Sequence, residues 1–258
     1  MSNKPTLASL RNYTPARVAL GRTGPAIATH DQLLFQLDHA LARDAVHAQL
    51  NISALQQSLQ QRKIETILLE SAVTTQPGQD PRHTYLRRPD LGRTLHPDSA
   101  TALKQLAANT PENPDIVFIL ADGLSALAIE RHAIPLLDAM LLALNPQQYR
   151  LGPTCIVTQA RVAIGDEIGF ILRAQLTVLL IGERPGLSAP DSLGVYITWQ
   201  PRPGRTDAER NCISNIRHEG LSYAEAAHRM ASYINGAKQL QATGVNLKEG
   251  PAQPRIKS

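Results

Sequence analysis

The stretch "TVLLIGERPGLSAPDSLGVYITWQP", Thr177–Pro201, decides how this chain is read. An apolar run from Val178 to Ile181 stops at Gly182-Glu183-Arg184-Pro185-Gly186, and a second run follows from Val195 to Thr198. Strands buried on both faces need no polar alternation, so such runs predict a mostly parallel sheet covered by helices. In the turn, Pro185 has no N–H to donate, and Gly182 and Gly186 permit close approach of backbone or ligand. Two readings of Glu183 stand side by side. It either accepts hydrogen bonds from a ligand's amide donors, or pairs with an arginine inside a tight strand-to-strand turn.

Working outward, the same alternation recurs. "PDIVFILADG" (114–123) is a continuous apolar run closed by Asp122-Gly123, and "TCIVTQARVAI" (154–164) is strand-like. Between them "LSALAIERHAIPLLDAMLLAL" (124–144) is a long helical stretch that Pro135 is expected to interrupt or kink. "TALKQLAANT" and "GDEIGFILRA" read as helices, and "KIETILLE" (63–70) as a short strand. "LSYAEAAHRMASYINGAKQL" (221–240) is an amphipathic helix opened by a capping box from Ser222 to Glu225, burying Ala226, Met230 and Ile234. Nearer the N-terminus, Leu33, Leu34, Leu37 and Leu41 recur at helical spacing, with Thr29 or Asp31 as the expected N-cap. The segment 74–97, rich in Pro and Gly, reads as loop. These patterns predict an N-terminal helical extension and loop over 1–95. A Rossmann-like α/β domain follows over 96–258, its mostly parallel sheet flanked by helices.

Such sheets bind ligands beyond the carboxyl ends of their strands. Asp122 to Ser125, Arg161 to Asp166 and Gly182 to Ser188 are the loops so placed. Neither G-x-G-x-x-G nor a P-loop is present. His83, His96, His132 and His218 stand without a second ligand at metal spacing and read as surface or capping histidines. Gly123-x-Ser125 sits where a nucleophile elbow would, with Asp191 or Asp207 and then His218 in hydrolase order, but Leu127 replaces the second glycine. Asp122 and Ser125 are expected instead to cap the following helix.

Composition narrows the classes. The 258 residues are 43% hydrophobic, enough for a substantial core, and only 4% aromatic, which argues against stacking surfaces for nucleic acid. The net charge of +4 is spread along the chain and reads as a solvated surface. The two cysteines, Cys155 and Cys212, suit a reducing compartment, although they could pair. No apolar run approaches the roughly 20 residues of a membrane span.

Taken together, "DIVFILADGLSALAI", "RVAIGDEIG", "LLIGERPGLSAPDSLGVYITWQPR" and "RNCISNIRHEGLSYAEAA" resemble the small subunit of ethanolamine ammonia-lyase. "TPARVALGRTGPA", "FQLDHALARDAVH" and "YLRRPDLGRTL" extend the resemblance from about Thr14 to Asn246. It implies an ammonia-lyase that depends on adenosylcobalamin and converts ethanolamine to acetaldehyde and ammonia by cobalt–carbon homolysis, hydrogen abstraction and amino migration. It implies that this chain is the subunit that does not hold substrate. A TIM-barrel large subunit does the radical chemistry, and the heterodimers form a larger oligomer. Cobalamin lies at the subunit interface. The positions that carry over as cobalamin contacts are Val162, Glu183 and Cys212; no catalytic residue and no metal ligand carries over to this chain. Family members in bacterial microcompartments carry a longer leader, so a cytoplasmic location is the expectation. Two other classes remain open, a stand-alone protein binding a nucleotide-like ligand and the hydrolase.

Overall fold

The computed structural model describes residues 9–10, 17–18, 20–75, 78–144 and 148–248. Apart from Ser9 and Leu10, the leader to Arg11 lies outside these, as does Thr14.

A six-stranded sheet forms the centre, built from β3 (Thr66–Glu70), β4 (Ile116–Ala121), β5 (Thr154–Thr158), β6 (Leu176–Gly182), β7 (Leu193–Trp199) and β8 (Asn211–Ile216). A separate two-stranded hairpin, β1 (Arg22–Thr23) with β2 (Ala26–Ile27), precedes it. The sheet order is β3-β5-β4-β6-β7-β8. The first four strands are parallel, while β7 and β8 are antiparallel. The fold is therefore α/β, as expected, with a mixed sheet of mostly parallel strands.

Strand β4 shows why its sequence does not alternate. Ile116, Phe118 and Leu120 face one core, shared with α5 (Ala126–Ala143) and α7 (Tyr223–Leu240). Val117, Ile119 and Ala121 face the other, shared with α4 (Pro97–Asn109) and α6 (Ile164–Ile171). With both faces covered, every strand position is apolar. In α7, Ser222 Oγ accepts from Glu225 N, and Ala226, Met230 and Ile234 are buried as its pattern requires.

Several readings are corrected. Helix α5 runs unbroken through Pro135. A mid-helix proline costs about 3 kcal/mol, and eight buried residues on both sides of it hold the helix against the sheet. The segment read as loop contains α3 (Pro81–Arg87), where Asp80 accepts from Arg82 N and Pro81 fills the first turn, a start signal the local composition hid. Strand β8 carries exposed Cys212, Ser214 and Asn215, so its edge position masks any apolar run. Helix α1 (Thr29–His47) starts after Ala28 without a side-chain cap, and Asp31 instead accepts from Gly21 N at 2.8 Å. Its leucines point out of the chain, since Ala45 is the one buried residue of the helix. Cys155 and Cys212 are free thiols on β5 and β8, four strand positions apart, or about 19 Å at sheet spacing, and cannot pair.

Candidate functional site

The chain crosses from β4 through α5 to β5 on one side of β4, then through α6 to β6 on its other side. Helices α5 and α6 consequently cover opposite faces. Beyond the carboxyl ends of β5, β4 and β6 the connections diverge, which is where open α/β sheets form a ligand crevice.

The three loops there interlock. Gly123 has φ of +55°, and Leu124 N donates to Gly182 O at 2.9 Å. A Cβ on Gly182 would sit 2.0 Å from Ser125 O and 2.6 Å from Asp122 O, both backbone atoms. Part of what "GERPGL" does is therefore steric, because its first glycine lets two loops touch. Gly182→Ala is expected to cost about 3 kcal/mol, the upper end of what overpacking usually costs, because the atoms it meets are backbone and cannot swing aside. Denaturant titration checks it, and a wild-type midpoint would contradict the contact.

Behind the loops lies a buried ion pair. Asp122 accepts from Gln159 N at 3.0 Å and Ala160 N at 3.1 Å, and Arg82 Nη1 lies 3.3 Å from it. Burial pushes the Asp122 carboxyl up from its ordinary range, opposed by Arg82 and those two amides. Asp122 therefore ties neighbouring loops together and caps no helix with its side chain. Ser125 is fully buried and donates to Pro190 O at 2.8 Å, without capping α5. A serine so enclosed and committed cannot act as an exposed nucleophile, which removes the structural basis for a hydrolase elbow. His132 also departs from expectation. It is buried, with Nδ1 2.8 Å from Tyr223 Oη and Nε2 3.3 Å from Asp191. Burial lowers its basicity, against the pull of Asp191. His96 does cap a helix, accepting from Asp98 N at the start of α4.

The three carried-over positions converge around one residue that sequence reasoning missed, Tyr196 on β7. A cleft of about 480 Å³ is lined by Asp90, Arg93, Arg161, Val162, Tyr196 and Asp207 among others. A second, of about 320 Å³, shares Arg161, Val162 and Tyr196 and reaches Gly182 and Glu183. Val162 is half-buried against the α4–α6 core. Cys212 pairs with Tyr196 across β7–β8, which sets the two side chains beside each other. Although Cys212 is exposed at the sheet edge, partial desolvation of its thiol raises it above its usual range, opposed by the neighbouring Tyr196 hydroxyl, so it stays protonated near neutrality. Burial likewise raises Tyr196, followed by the effect of Cys212. The only signal for Tyr196 was the polar hydroxyl in the run Val195–Thr198.

Glu183 is not held as its arginine-paired reading expects. Ser192 Oγ, Ser214 Oγ and Asn215 N (3.2 Å) all donate to its carboxylate. Among the described residues no arginine pairs with it, so it staples β6 to β7 and β8 through neutral donors. A carboxylate has about four acceptor positions, which leaves room for a further donor.

Among the described residues no group of three His, Cys, Asp or Glu side chains could hold a metal ion, and no helix is long and apolar enough to cross a membrane. A family model described as ethanolamine ammonia-lyase light chain matches residues 4–248. A protein of Azotobacter vinelandii named ethanolamine ammonia-lyase small subunit is 52% identical over 96% of this chain and 89% of its own length. Proteins with the same name from Pseudomonas fluorescens and Pseudomonas aeruginosa are 52% and 51% identical, over 93% of this chain and 85% and 86% of theirs. With the family model spanning nearly its whole length and half its residues identical to these relatives, the chain belongs to the ethanolamine ammonia-lyase light chain family.

Proposed function

We propose that this chain is the small subunit of an adenosylcobalamin-dependent enzyme that converts ethanolamine to acetaldehyde and ammonia, and that its carboxyl-edge crevice holds the cofactor against a large TIM-barrel subunit. The observation that carries the reading is the convergence of Val162, Glu183 and Cys212 on Tyr196 beside two open clefts. The donor set suits a corrin, a broad apolar disc rimmed with neutral amides. Val162 offers an apolar wall, the remaining acceptor position of Glu183 an oxygen for a rim amide, and Cys212 a small polarizable contact. When bound, adenosylcobalamin supplies the radical chemistry, and this chain's residues bind, orient and exclude water. The chain holds no acid–base pair assigned to substrate, so substrate groups belong to the large subunit, in heterodimers of a larger cytoplasmic oligomer.

The same reading accounts for α1. Leu33, Leu34, Phe35, Leu37 and Leu41 are each 45–59% exposed on that helix. An apolar stripe of this size on a helix that buries almost nothing requires a cover. Arg82 Nε donates to Val46 O near the end of α1, and Nη1 of the same guanidinium to Gly123 O in the crevice loop. The end of α1 is thus tied to the crevice loop, and the large subunit that closes the crevice is the occupant of the stripe. On this view the division at residue 95 is functional. The N-terminal part docks, although it also lends β3 to the sheet.

Co-expression with the large subunit and a visible spectrum of the purified complex after cobalamin addition test the proposal; an assembled complex that retains no corrinoid overturns it. In that complex Glu183→Ala is expected to weaken cobalamin binding about tenfold to a hundredfold, one charge-assisted hydrogen bond's worth. It should leave the KM for ethanolamine nearly unchanged, with Glu183→Gln between. Unaltered cobalamin affinity in a fully assembled Glu183→Ala enzyme would reduce Glu183 to a staple of the sheet.

A further inference from the structure

Arg161 stands immediately before Val162 and lines both clefts. Its position is closely fixed although, among the described residues, its side chain makes no hydrogen bond or ion pair. The backbone N of Arg161 donates to Gly92 O at 2.7 Å. A Cβ on Gly92 would lie 3.1 Å from Arg161 Cγ and 2.8 Å from both Gln159 O and Tyr85 Cε2, so glycine is required for the loop to close over the arginine stem. The guanidinium lies 4.5 Å from the centroid of the Tyr85 ring. Tyr85 is itself fully buried and anchored by its hydroxyl to Ala160 O at 2.7 Å. Yet Arg161 Nε is buried with no hydrogen-bond partner among the described residues. An unmet buried donor on a charged group is costly, and such cost persists where a ligand relieves it.

The charges around it are already matched, which isolates Arg161 further. Arg82, on the same Tyr85 ring at 5.0 Å, is neutralised by Asp122. The cleft's two acids also have cations of their own, Asp90 with Arg88 at 2.7 Å and Asp207 with Arg210 at 2.9 Å. Glu183 is held by serine hydroxyls and a backbone amide. Across the same cleft, Arg93 is exposed and no acid of the described residues forms an ion pair with it. Two guanidinium groups on separate loops therefore face the cleft with open planar donors, the arrangement that recognises a phosphate.

We propose that Arg161, assisted by Arg93, binds the phosphodiester of the cobalamin nucleotide loop. The proposal rests on the cobalamin reading above and deepens it. The corrin rim carries neutral amides, and the phosphodiester is the peripheral group of the cofactor that bears a negative charge. Arg161 then selects the complete cofactor over a corrinoid lacking its nucleotide, and orients the tail while Val162 meets the ring.

The test compares hydroxocobalamin with cobinamide, which lacks nucleotide and phosphodiester, by equilibrium titration of the complex assembled with the large subunit. Arg161→Gln is expected to weaken hydroxocobalamin binding about tenfold to a hundredfold and to change cobinamide binding less than about threefold. The salt dependence of hydroxocobalamin binding should flatten in the variant. Arg93→Gln, at an exposed position, should act in the same direction with a smaller effect and keeps the test open if the first variant fails to assemble. Equal weakening of both corrinoids, or of neither, overturns the assignment. A wild-type complex that binds neither corrinoid instead overturns the cobalamin reading, and this proposal with it.

Discussion

A chain carrying Leu34→Asp together with Leu37→Asp is expected to lose association with the large subunit by about a hundredfold to ten-thousandfold. Both side chains belong to the exposed stripe of α1, at 45% and 54% exposure. Their spacing places them on one side of the helix together with Leu41. Fully burying an exposed leucine contributes about 1.5–3 kcal/mol; these two are half exposed, so together they contribute roughly 1.5–3 kcal/mol, and the cost of desolvating two carboxylates in their place brings the loss into that range of affinity. Neither residue supports the core of its own chain, so the melting temperature of the isolated subunit should hardly move. Sedimentation of the mixed subunits and melting of the single chain measure the two quantities. Wild-type affinity for the large subunit would rule out α1 as the docking element. If the isolated wild-type chain instead self-associates and the variant does not, a second copy covers the stripe.

Arg82→Met should produce the largest loss of stability within the chain, about 3–5 kcal/mol. The guanidinium is fully buried and serves three partners, with Nε to Val46 O at 2.7 Å and Nη1 to Gly123 O at 2.8 Å and Asp122 at 3.3 Å. Methionine replaces the volume and leaves Asp122 as a buried carboxylate facing only two backbone amides. For a chain of this size the melting temperature should fall by roughly 6–20 °C. The pH dependence follows from the sign of the shift. Burial already raises the Asp122 carboxyl, and Arg82 is the main opposing charge, so removing it raises the carboxyl further. A carboxyl whose folded pKa exceeds its unfolded one costs stability as pH rises through that folded value, so the deficit should be greatest near neutrality and shrink on acidification. Asp122→Asn on the same background should recover part of the loss and couple strongly with Arg82→Met. A deficit that does not change with pH would mean that Asp122 is not the stranded partner. Because Val46 closes α1, the variant should also loosen that helix, visible as faster amide exchange over Thr29–His47.

Much of the architecture is written locally. The unbroken runs Ile116–Ala121 and Leu176–Gly182 specify strands because a sheet covered on both faces admits apolar residues at every position. Ser222 and Glu225 mark the start of α7, and the spacing of Ala226, Met230 and Ile234 marks its buried side. The crevice was legible too, since turns that follow parallel strands must gather at one edge. Its motifs, "RVAIGDEIG", "GERPGL" and "CISNI", carry the family resemblance and so pointed to Val162, Glu183 and Cys212.

Other features depended on partners far away in the chain. Pro135 breaks an isolated helix but not one held by buried residues on both sides, because packing outweighs the lost hydrogen bond. His132 has no neighbour in sequence that explains it, yet Asp191 and Tyr223 enclose it. Arg82 reads as one more basic residue in a polar loop until Asp122, forty positions away, is brought against it. Tyr196 and Arg161 joined the candidate site only when α3, the loop after β5 and strand β7 met at one edge. Local pattern determines the elements because backbone geometry and apolar periodicity act over a few residues. The site is decided tertiarily, because the worth of a charge or a donor depends on burial and on the groups left to satisfy it.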